Sequence, residues 1–241
     1  MTTISKFITA LIVSLLLVSC NFDFNGFGVR GNGDVETVER SISDDFSEIK
    51  ISRGLDVYLT QSDEVSLHIE ADENLHDIIV TEVENGVLRI TTDENISFSK
   101  SKKVMLSFKD VSKITATSGS DVFSTNTIVA DNLELSTTSG SDMELDINVQ
   151  VADCSSTSGS DLRVSGTTNK LYASATSGSD IKAGNLKAKI SEARATSGAD
   201  IVLNTSDELY AKATSGADIK YYGNPEKVTK KDGVSGSVRK Q

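Results

Sequence analysis

The chain has 241 residues, a formal net charge of −11, 5% aromatic residues and no tryptophan. The acidity argues against nucleic-acid binding, which needs a basic face for the phosphates. The scarcity of large rings argues against a core built on aromatic side chains. Together with abundant Ser, Thr, Gly and Asp, it favours many short strands joined by tight turns.

Residues 1–19 are predicted to be a lipoprotein signal peptide. Lys6 supplies a positive charge, and the apolar run over 7–18 is shorter than the roughly 20 residues that a membrane-spanning helix needs. The run ends in Leu17-Val18-Ser19-Cys20, which resembles the lipobox of bacterial lipoproteins. The resemblance implies cleavage before Cys20 and a lipid, such as palmitate, on its thiol. The alternative is an ordinary secreted protein with a chance cysteine.

If Cys20 is lipidated, the membrane is a partner through the acyl chains, and the protein belongs to the cell envelope at the outer membrane. Exposure to the periplasm and exposure at the cell surface both stay open. Residues 20–33 comprise this cysteine and a Gly- and Asn-rich tether that reaches roughly 20 Å. Cys154 is then the remaining cysteine, and it is expected to pack as a small buried hydrophobe.

Residues 34–113 form a predicted all-β section, because apolar and polar residues alternate along several short runs. Asn85-Gly86 separates two such runs, which is a strong signal for a hairpin or tight turn. Ser52-Arg53-Gly54-Leu55-Asp56 lines up with a pentapeptide that repeats further along the chain. The section is therefore either a set of degenerate copies of that repeat or a separate strand-rich cap.

Residues 114–223 carry a repeat of Thr-Ser-Gly-Ser-Asp, with Ala in place of the second Ser in the last two copies. Its glycines recur at intervals of 21, 19, 19, 20 and 18 residues. Self-similarity at such a period is the mark of a solenoid in which each repeat forms one rung. The six glycines are Gly119, Gly140, Gly159, Gly178, Gly198 and Gly216.

The residues around each pentapeptide alternate with a period of two, which is typical of strands. The residue after each Asp is apolar, and small or apolar residues stand one and three positions before each Thr. Continuing this parity places both Ser/Ala positions of the motif inside as well. The predicted fold is therefore all-β, a parallel β-helix of about 20 residues per rung with a strand-rich N-terminal section.

Stacking of the rungs predicts one column of carboxylates. The expected role of each Asp is to cap its Ser-Gly turn by accepting hydrogen bonds from backbone N–H groups or hydroxyls. The alternative is a column of divalent cations such as Ca²⁺, which prefers carboxylate and carbonyl oxygens. The column consists of Asp121, Asp142, Asp161, Asp180, Asp200 and Asp218.

The sequence predicts no catalytic residues, no protein-bound metal and no cofactor. Its two histidines, His68 and His76, have no partner at metal-ligand spacing and are expected at the surface. No phosphate-binding glycine loop occurs. Because β-helices also carry polysaccharide lyases and hydrolases, a polysaccharide-active enzyme stays open as an alternative, although the equivalent ladder acids give no reason for split pKa values.

The chain resembles the family described as putative auto-transporter adhesin, head GIN domain. The resemblance lies in the pattern around Phe46–Leu59, then Glu73-Asn74-Leu75, then Asn85-Gly86 and the Ser-Gly-Ser-Asp repeats, and covers residues 35–225. It implies a secreted or lipid-anchored all-β envelope protein with β-helical repeats, and it brings no catalytic residues. At the namesake Gly-Ile-Asn the chain reads Gly54-Leu55-Asp56.

Residues 224–241 are a basic tail, which is expected to cap the open end of the solenoid. The function predicted from sequence is that of a non-catalytic, lipid-anchored envelope protein with an adhesion or interaction surface. Its ligand would be a glycan or a protein. The main alternative is a periplasmic scaffold that self-associates through the solenoid ends.

Overall fold

The computed structural model describes residues 28–233 and 235–241, so the predicted signal peptide, Cys20 and most of the tether lie outside the described residues. The described residues are mostly strand, with one 3-10 helix at Glu73–Leu75. The strands, in chain order, are β1 Val29–Arg30, β2 Val35–Arg40, β3 Glu48–Ile51, β4 Asp56–Gln61, β5 Ser66–Asp72, β6 Ile79–Glu84, β7 Val87–Thr92, β8 Ile96–Phe98, β9 Lys102–Phe108, β10 Lys113–Thr117, β11 Asp121–Ser124, β12 Ile128–Thr138, β13 Asp142–Thr157, β14 Asp161–Thr176, β15 Asp180–Thr196, β16 Asp200–Ala213, β17 Asp218–Tyr222, β18 Lys227–Asp232 and β19 Ser237–Lys240.

The predicted fold class is confirmed: the chain is a β-solenoid of about 7 turns, roughly 19 residues apart. Each rung pairs in parallel with the next one, and each pentapeptide lies opposite its neighbour, as in the pairing of Asp142 with Asp161 and of Thr157 with Thr176. The long strands β13, β14 and β15 continue around the bends between pentapeptides. In-register stacking therefore repeats the same chemistry from rung to rung.

The pentapeptide makes one corner of the solenoid. Its first Ser and its Gly both have positive φ, for example 59° at Ser158 and 69° at Gly159. Two successive residues of this kind are typical of a type I′ turn, which reverses the side-chain alternation locally. The expectation that both Ser/Ala positions point inside is therefore wrong for the first: Ser158 is exposed, whereas Ser160 is fully buried.

The core is a narrow column of aliphatic and small side chains. The residue after each Asp is buried in every rung, as are the residues one and three positions before each Thr. Cys154 is one of these buried residues, as predicted, and Ala occupies the same place in the three rungs that follow. Small side chains let the opposite walls of the rung approach closely, which gives dense packing without aromatic rings.

The section over 34–113 belongs to the same sheet as the repeats, except for β8, which pairs in parallel with β1 in a separate two-stranded sheet. Strands β3 and β4 pair in parallel with β10 and β11 on one side and with β7 and β9 on the other. Strands β5 and β6 then add antiparallel to β9 and β7, and β2 adds antiparallel to β5. Strands β6 and β7 meet at Asn85 and Gly86, both with positive φ, so the predicted hairpin turn is confirmed.

At the other end, β18 pairs in parallel with β16, and β19 with β17. The basic tail thus forms a further rung above the last pentapeptide. All buried core side chains of the described residues lie between Ile49 and Val238. These side chains form one hydrophobic cluster that runs from the N-terminal section to the last rung.

Asp72 hydrogen-bonds the segment that precedes β2 and so holds it against the fold. Its buried carboxylate accepts hydrogen bonds from the backbone N–H groups of Gly33 at 2.9 Å, Lys100 at 3.0 Å and Ser101 at 3.0 Å. Burial by itself would raise the pKa of Asp72, but these three hydrogen bonds and the charge of Lys100 hold that pKa below its usual value.

Within residues 28–241, Val234 aside, no helix has the length and apolar character needed to cross a bilayer.

Candidate functional site

The predicted carboxylate column exists, and it is longer than the six pentapeptides. Asp121, Asp142, Asp161, Asp180, Asp200 and Asp218 pair in register from rung to rung. Asp56 of β4 pairs with Asp121 and extends the column into the N-terminal section. The column is bounded by Lys103 at one end and Ser237 at the other.

Two lysines partly neutralise this column. Lys182 Nζ lies 2.7 Å from Asp161 and 3.4 Å from Asp180, and Lys102 Nζ lies 3.8 Å from Asp56. The pKa of Asp121 is raised, first by partial burial and then by the charges of Asp56 and Asp142. The charge of Lys102 opposes this rise, although no lysine within the described residues forms an ion pair with Asp121.

The expectation that the aspartates cap the turns is wrong. Among the described residues, no backbone N–H or hydroxyl of the pentapeptide turns donates a hydrogen bond to a ladder carboxylate. The buried Ser of the motif caps the turn instead. Ser160 Oγ donates to Thr157 O at 2.8 Å and accepts from Thr157 N at 3.2 Å. Because this Ser points inward, its hydroxyl reaches both backbone groups of the Thr that opens the turn.

The same hydroxyls connect neighbouring rungs inside the core. Ser141 Oγ donates to Ala116 O at 2.9 Å, and Ser179 Oγ donates to Ser156 O at 2.7 Å. The hydroxyls of Ser160 and Thr137, on neighbouring rungs, lie 3.1 Å apart. A buried polar network of this kind is stabilising when its members are paired, and these hydroxyls are.

The remaining sequence-predicted groups do not converge on a site. His68 and His76 are both half-buried rather than fully at the surface, and His76 Nε2 lies 3.3 Å from Glu36 O. Within the described part of the chain, no group of three or more His, Cys, Asp or Glu side chains is arranged to hold a metal ion. Cys154 is buried, and burial raises the pKa of its thiol to about 12.

A different place on the solenoid interrupts the regular pairing. The rung from Gly178 to Gly198 spans 20 residues, whereas the next rung, to Gly216, spans 18. Ala183 pairs with Leu203, and Lys187 pairs with Asn204, the next residue of β16. Residues 184–186 of β15 therefore have no paired residue in β16. The longer rung bulges outward over the shorter one, and a concave surface opens beside it.

This surface, here called the notch, is lined by Arg163, Lys182, Gly184, Asn185, Val202, Asn204 and Tyr222 and encloses about 580 Å³. Tyr222 is 44% exposed. A methyl group at Gly184 would lie 3.5 Å from Tyr222 Cε2 and 3.3 Å from Val202 Cγ1, so glycine lets the ring lie close to the backbone. Asn204 Nδ2 donates to Gly184 O at 3.4 Å, which orients its amide at the base of the notch.

A second groove of about 510 Å³ adjoins the notch at Asn204. Its polar lining combines amides with two lysines that form no ion pair within the described residues. These side chains are Asn148, Gln150, Asn169, Lys187, Lys189 and Asn204. The two grooves together give a trough that combines amide and lysine side chains with apolar surface and one exposed aromatic ring, suited to holding an extended ligand.

Sequence reasoning missed the notch, although the signal was present in the unequal intervals of the glycines. A regular solenoid needs equal rungs, so a long rung followed by a short one marks the place where the surface departs from the repeat.

Fold and notch together define a β-solenoid with a lateral trough. The chain belongs to the family described as putative auto-transporter adhesin, head GIN domain, whose model matches residues 45–225. This membership supports a non-catalytic, adhesin-like role at the cell envelope or surface.

Solved structures share the fold. A crystal structure described as a putative adhesin from Bacteroides fragilis is 22% identical, with a TM-score of 0.82, over 88% of this chain and 100% of that one. One described as a putative lipid binding protein from Parabacteroides distasonis is 24% identical, with a TM-score of 0.73, over 88% of this chain and 99% of that one. No curated protein matches the chain.

Proposed function

We propose that this chain is a non-catalytic, lipid-anchored adhesin-like protein of the outer membrane that binds carbohydrate in the notch. The observation that carries the proposal is the exposed ring of Tyr222 at the break in the repeat. An aromatic face packs against the C–H face of a sugar ring, and planar amides such as Asn185 and Asn204 can both donate to and accept from hydroxyl groups. The second groove lengthens the contact beyond one sugar unit.

The electrostatics of the notch favour a neutral or weakly anionic sugar. Arg163 lies 2.8 Å from Glu144, and Lys182 lies 2.7 Å from Asp161, so both cations are largely compensated. Lys187 and Lys189 in the second groove form no ion pair within the described residues. An acidic group at one end of the ligand would therefore be accommodated there, and not beside Tyr222.

The binding proposal is tested on an array of purified oligosaccharides with the chain from Asn21 onward. Tyr222→Ala is expected to weaken binding of any sugar that the unaltered chain retains by about tenfold or more. The matched control is Tyr172→Ala, which removes a half-buried ring that does not line the notch. Equal losses in the two variants, or no retained sugar at all, would contradict carbohydrate binding in the notch.

The anchoring proposal is tested on cells that make the full chain. Labelled palmitate is expected to enter the protein, and Cys20→Ser is expected to abolish the label and release the protein from the membrane fraction. Protease added to intact cells should remove the domain while a periplasmic control protein survives. Protection of the domain until the outer membrane is broken would contradict an adhesin role and favour the periplasmic scaffold.

A further inference from the structure

The two ends of the solenoid present sheet edges that run in the same direction. Strand β2 is antiparallel to β5, and β5 is antiparallel to β9, so β2 runs parallel to β9 and to the rungs beyond it. At the far end of the same face, β19 is parallel to β17. Within the described residues, the pairing registers give β5 as the one partner of β2 and β17 as the one partner of β19, so each strand keeps one unpaired edge.

Within the residues that the structure describes, neither end is covered by an apolar or helical cap. Five of the six β2 residues are exposed, including Val35 and Val38 at 37% and 38%. At the other end, Arg239 and Lys240 of β19 are exposed, as is Val228 of the neighbouring strand β18 at 39%. An exposed edge strand is a template for pairing with another chain unless charge prevents the approach.

The charges at the two ends have opposite sign. The β2 end carries Asp34, Glu36 and Glu39, none of which forms an ion pair within the described residues. The one cation of β2, Arg40, is directed back into the fold, where it donates to His76 O and Ile79 O at 2.5 Å.

The far end is basic. Its exposed cations are without ion pairs within the described part of the chain, apart from Lys227, which lies 2.6 Å from Glu208. One acid, Asp232, lies among them. The unpaired cations are Lys230, Lys231, Arg239 and Lys240.

We propose that a second copy of this chain docks head to tail, with β2 of one copy beside β19 of the next, so that the parallel sheet continues across the contact. Like charges oppose contact between two β2 ends or between two β19 ends, whereas opposite charges favour the mixed contact. A contact between unlike ends does not close on itself, so it produces a linear assembly. The inference is independent of carbohydrate binding, because the notch lies on the side of the solenoid.

The test uses sedimentation velocity on the chain from Asn21 onward, over a range of protein and salt concentrations. The unaltered chain is expected to form larger species as its concentration rises, and added salt should reverse this. Glu36→Lys with Glu39→Lys makes both ends basic, and Arg239→Glu with Lys240→Glu makes the second end acidic. Since all four side chains are exposed, both variants should fold, and each alone should associate at least about tenfold more weakly.

Mixing the two variants distinguishes charge pairing from damage to the fold. The basic end of one variant then meets the acidic end of the other, and association should return to that of the unaltered chain. A monomer at all concentrations would overturn the proposal. Variants that associate as well as the unaltered chain would overturn it too, and so would a mixture that stays monomeric.

Discussion

Lys182 Nζ lies 2.7 Å from Asp161 Oδ2, one rung away along the carboxylate column. The same amine lies 3.4 Å from Asp180, so one cation compensates two stacked acids. The hydrogen bond to Asp161 is the largest cause that raises the pKa of Lys182. The contribution of this hydrogen bond to stability is therefore complete at a pH below 10.5, the pKa of Lys182 in the unfolded chain. It is lost as the pH rises through the higher pKa of Lys182 in the folded state.

Replacing Lys182 by Met should destabilise the fold by less than about 1 kcal/mol, because the pair is partly exposed and screened by solvent. The loss should be largest at low salt and shrink as salt is added. Urea unfolding at two salt concentrations measures it. Lys187→Met is the control, because Lys187 forms no ion pair within the described residues, and an equal loss in that variant would contradict the assignment.

Asp121→Asn should stabilise the fold at neutral pH. Burial first, and then the neighbouring Asp56 and Asp142, raise the pKa of Asp121 in the folded state, with Lys102 opposing. Because the pKa of Asp121 is higher in the folded than in the unfolded state, stability falls as the pH rises from the unfolded pKa to the folded pKa. Asn has no carboxyl to ionise, so it removes this loss. The gain is expected to be up to about 0.5 kcal/mol after solvent screening.

This gain should vanish as the pH falls below 3.8, the ordinary pKa of an aspartate, because the Asp121 carboxyl is then protonated in both the folded and the unfolded state. Thermal unfolding at a series of pH values checks the sign. Asp110→Asn, an exposed acid outside the column, is the control. A destabilised Asp121→Asn would restore the view that the carboxylates hold the turns.

Ser160→Ala should cost about 1 kcal/mol, because it leaves half-buried backbone groups of Thr157 without their hydroxyl partner. An alanine side chain fits at this position, since Ala199 and Ala217 occupy it in later rungs. Ser158→Ala, at the exposed Ser of the same turn, should stay within about 0.5 kcal/mol. Urea unfolding of the two variants would refute the capping role if their losses were equal.

Gly166→Ala should destabilise the protein severely. Its φ is 107°, and a methyl group there would lie 2.0 Å from the carbonyl oxygen of Ile147 on the preceding rung. Gly159→Ala also requires a positive φ, of 69°, but meets no atom within 4 Å, so it should cost only about 1–2 kcal/mol. A loss at Gly166 no larger than that at Gly159, measured by thermal unfolding, would show that the rungs separate more easily than the structure indicates.

Cys154 should resist thiol reagents in the folded protein. Burial and then the charge of Asp153 raise its pKa to about 12, and its thiol has no access to solvent. A thiol-reactive dye added to a Cys20→Ser variant should label it only after unfolding. The same raised pKa predicts that stability falls as the pH rises above 9.0, where the unfolded thiol ionises.

The solenoid could be predicted because its evidence is local and repeated. A pentapeptide at near-constant spacing, with period-two alternation around it, specifies in-register stacking of rungs, and Asp142 does lie opposite Asp161. The buried place of Cys154 follows from the same parity. The column of carboxylates also follows, because stacking brings equivalent residues together whatever their chemistry.

Only the tertiary structure decided which residue caps the turn, because the positive φ of Ser158 reverses the parity that sequence reasoning carried through the motif. It also decided how residues 34–113 join the sheet, since both parallel and antiparallel pairing suit alternating strands. The notch depends on how a rung of 20 residues stacks on one of 18, which is a contact between neighbours and not a property of either segment. The same is true of the parallel direction of β2 and β19, which arises from two successive antiparallel pairings far from the repeat.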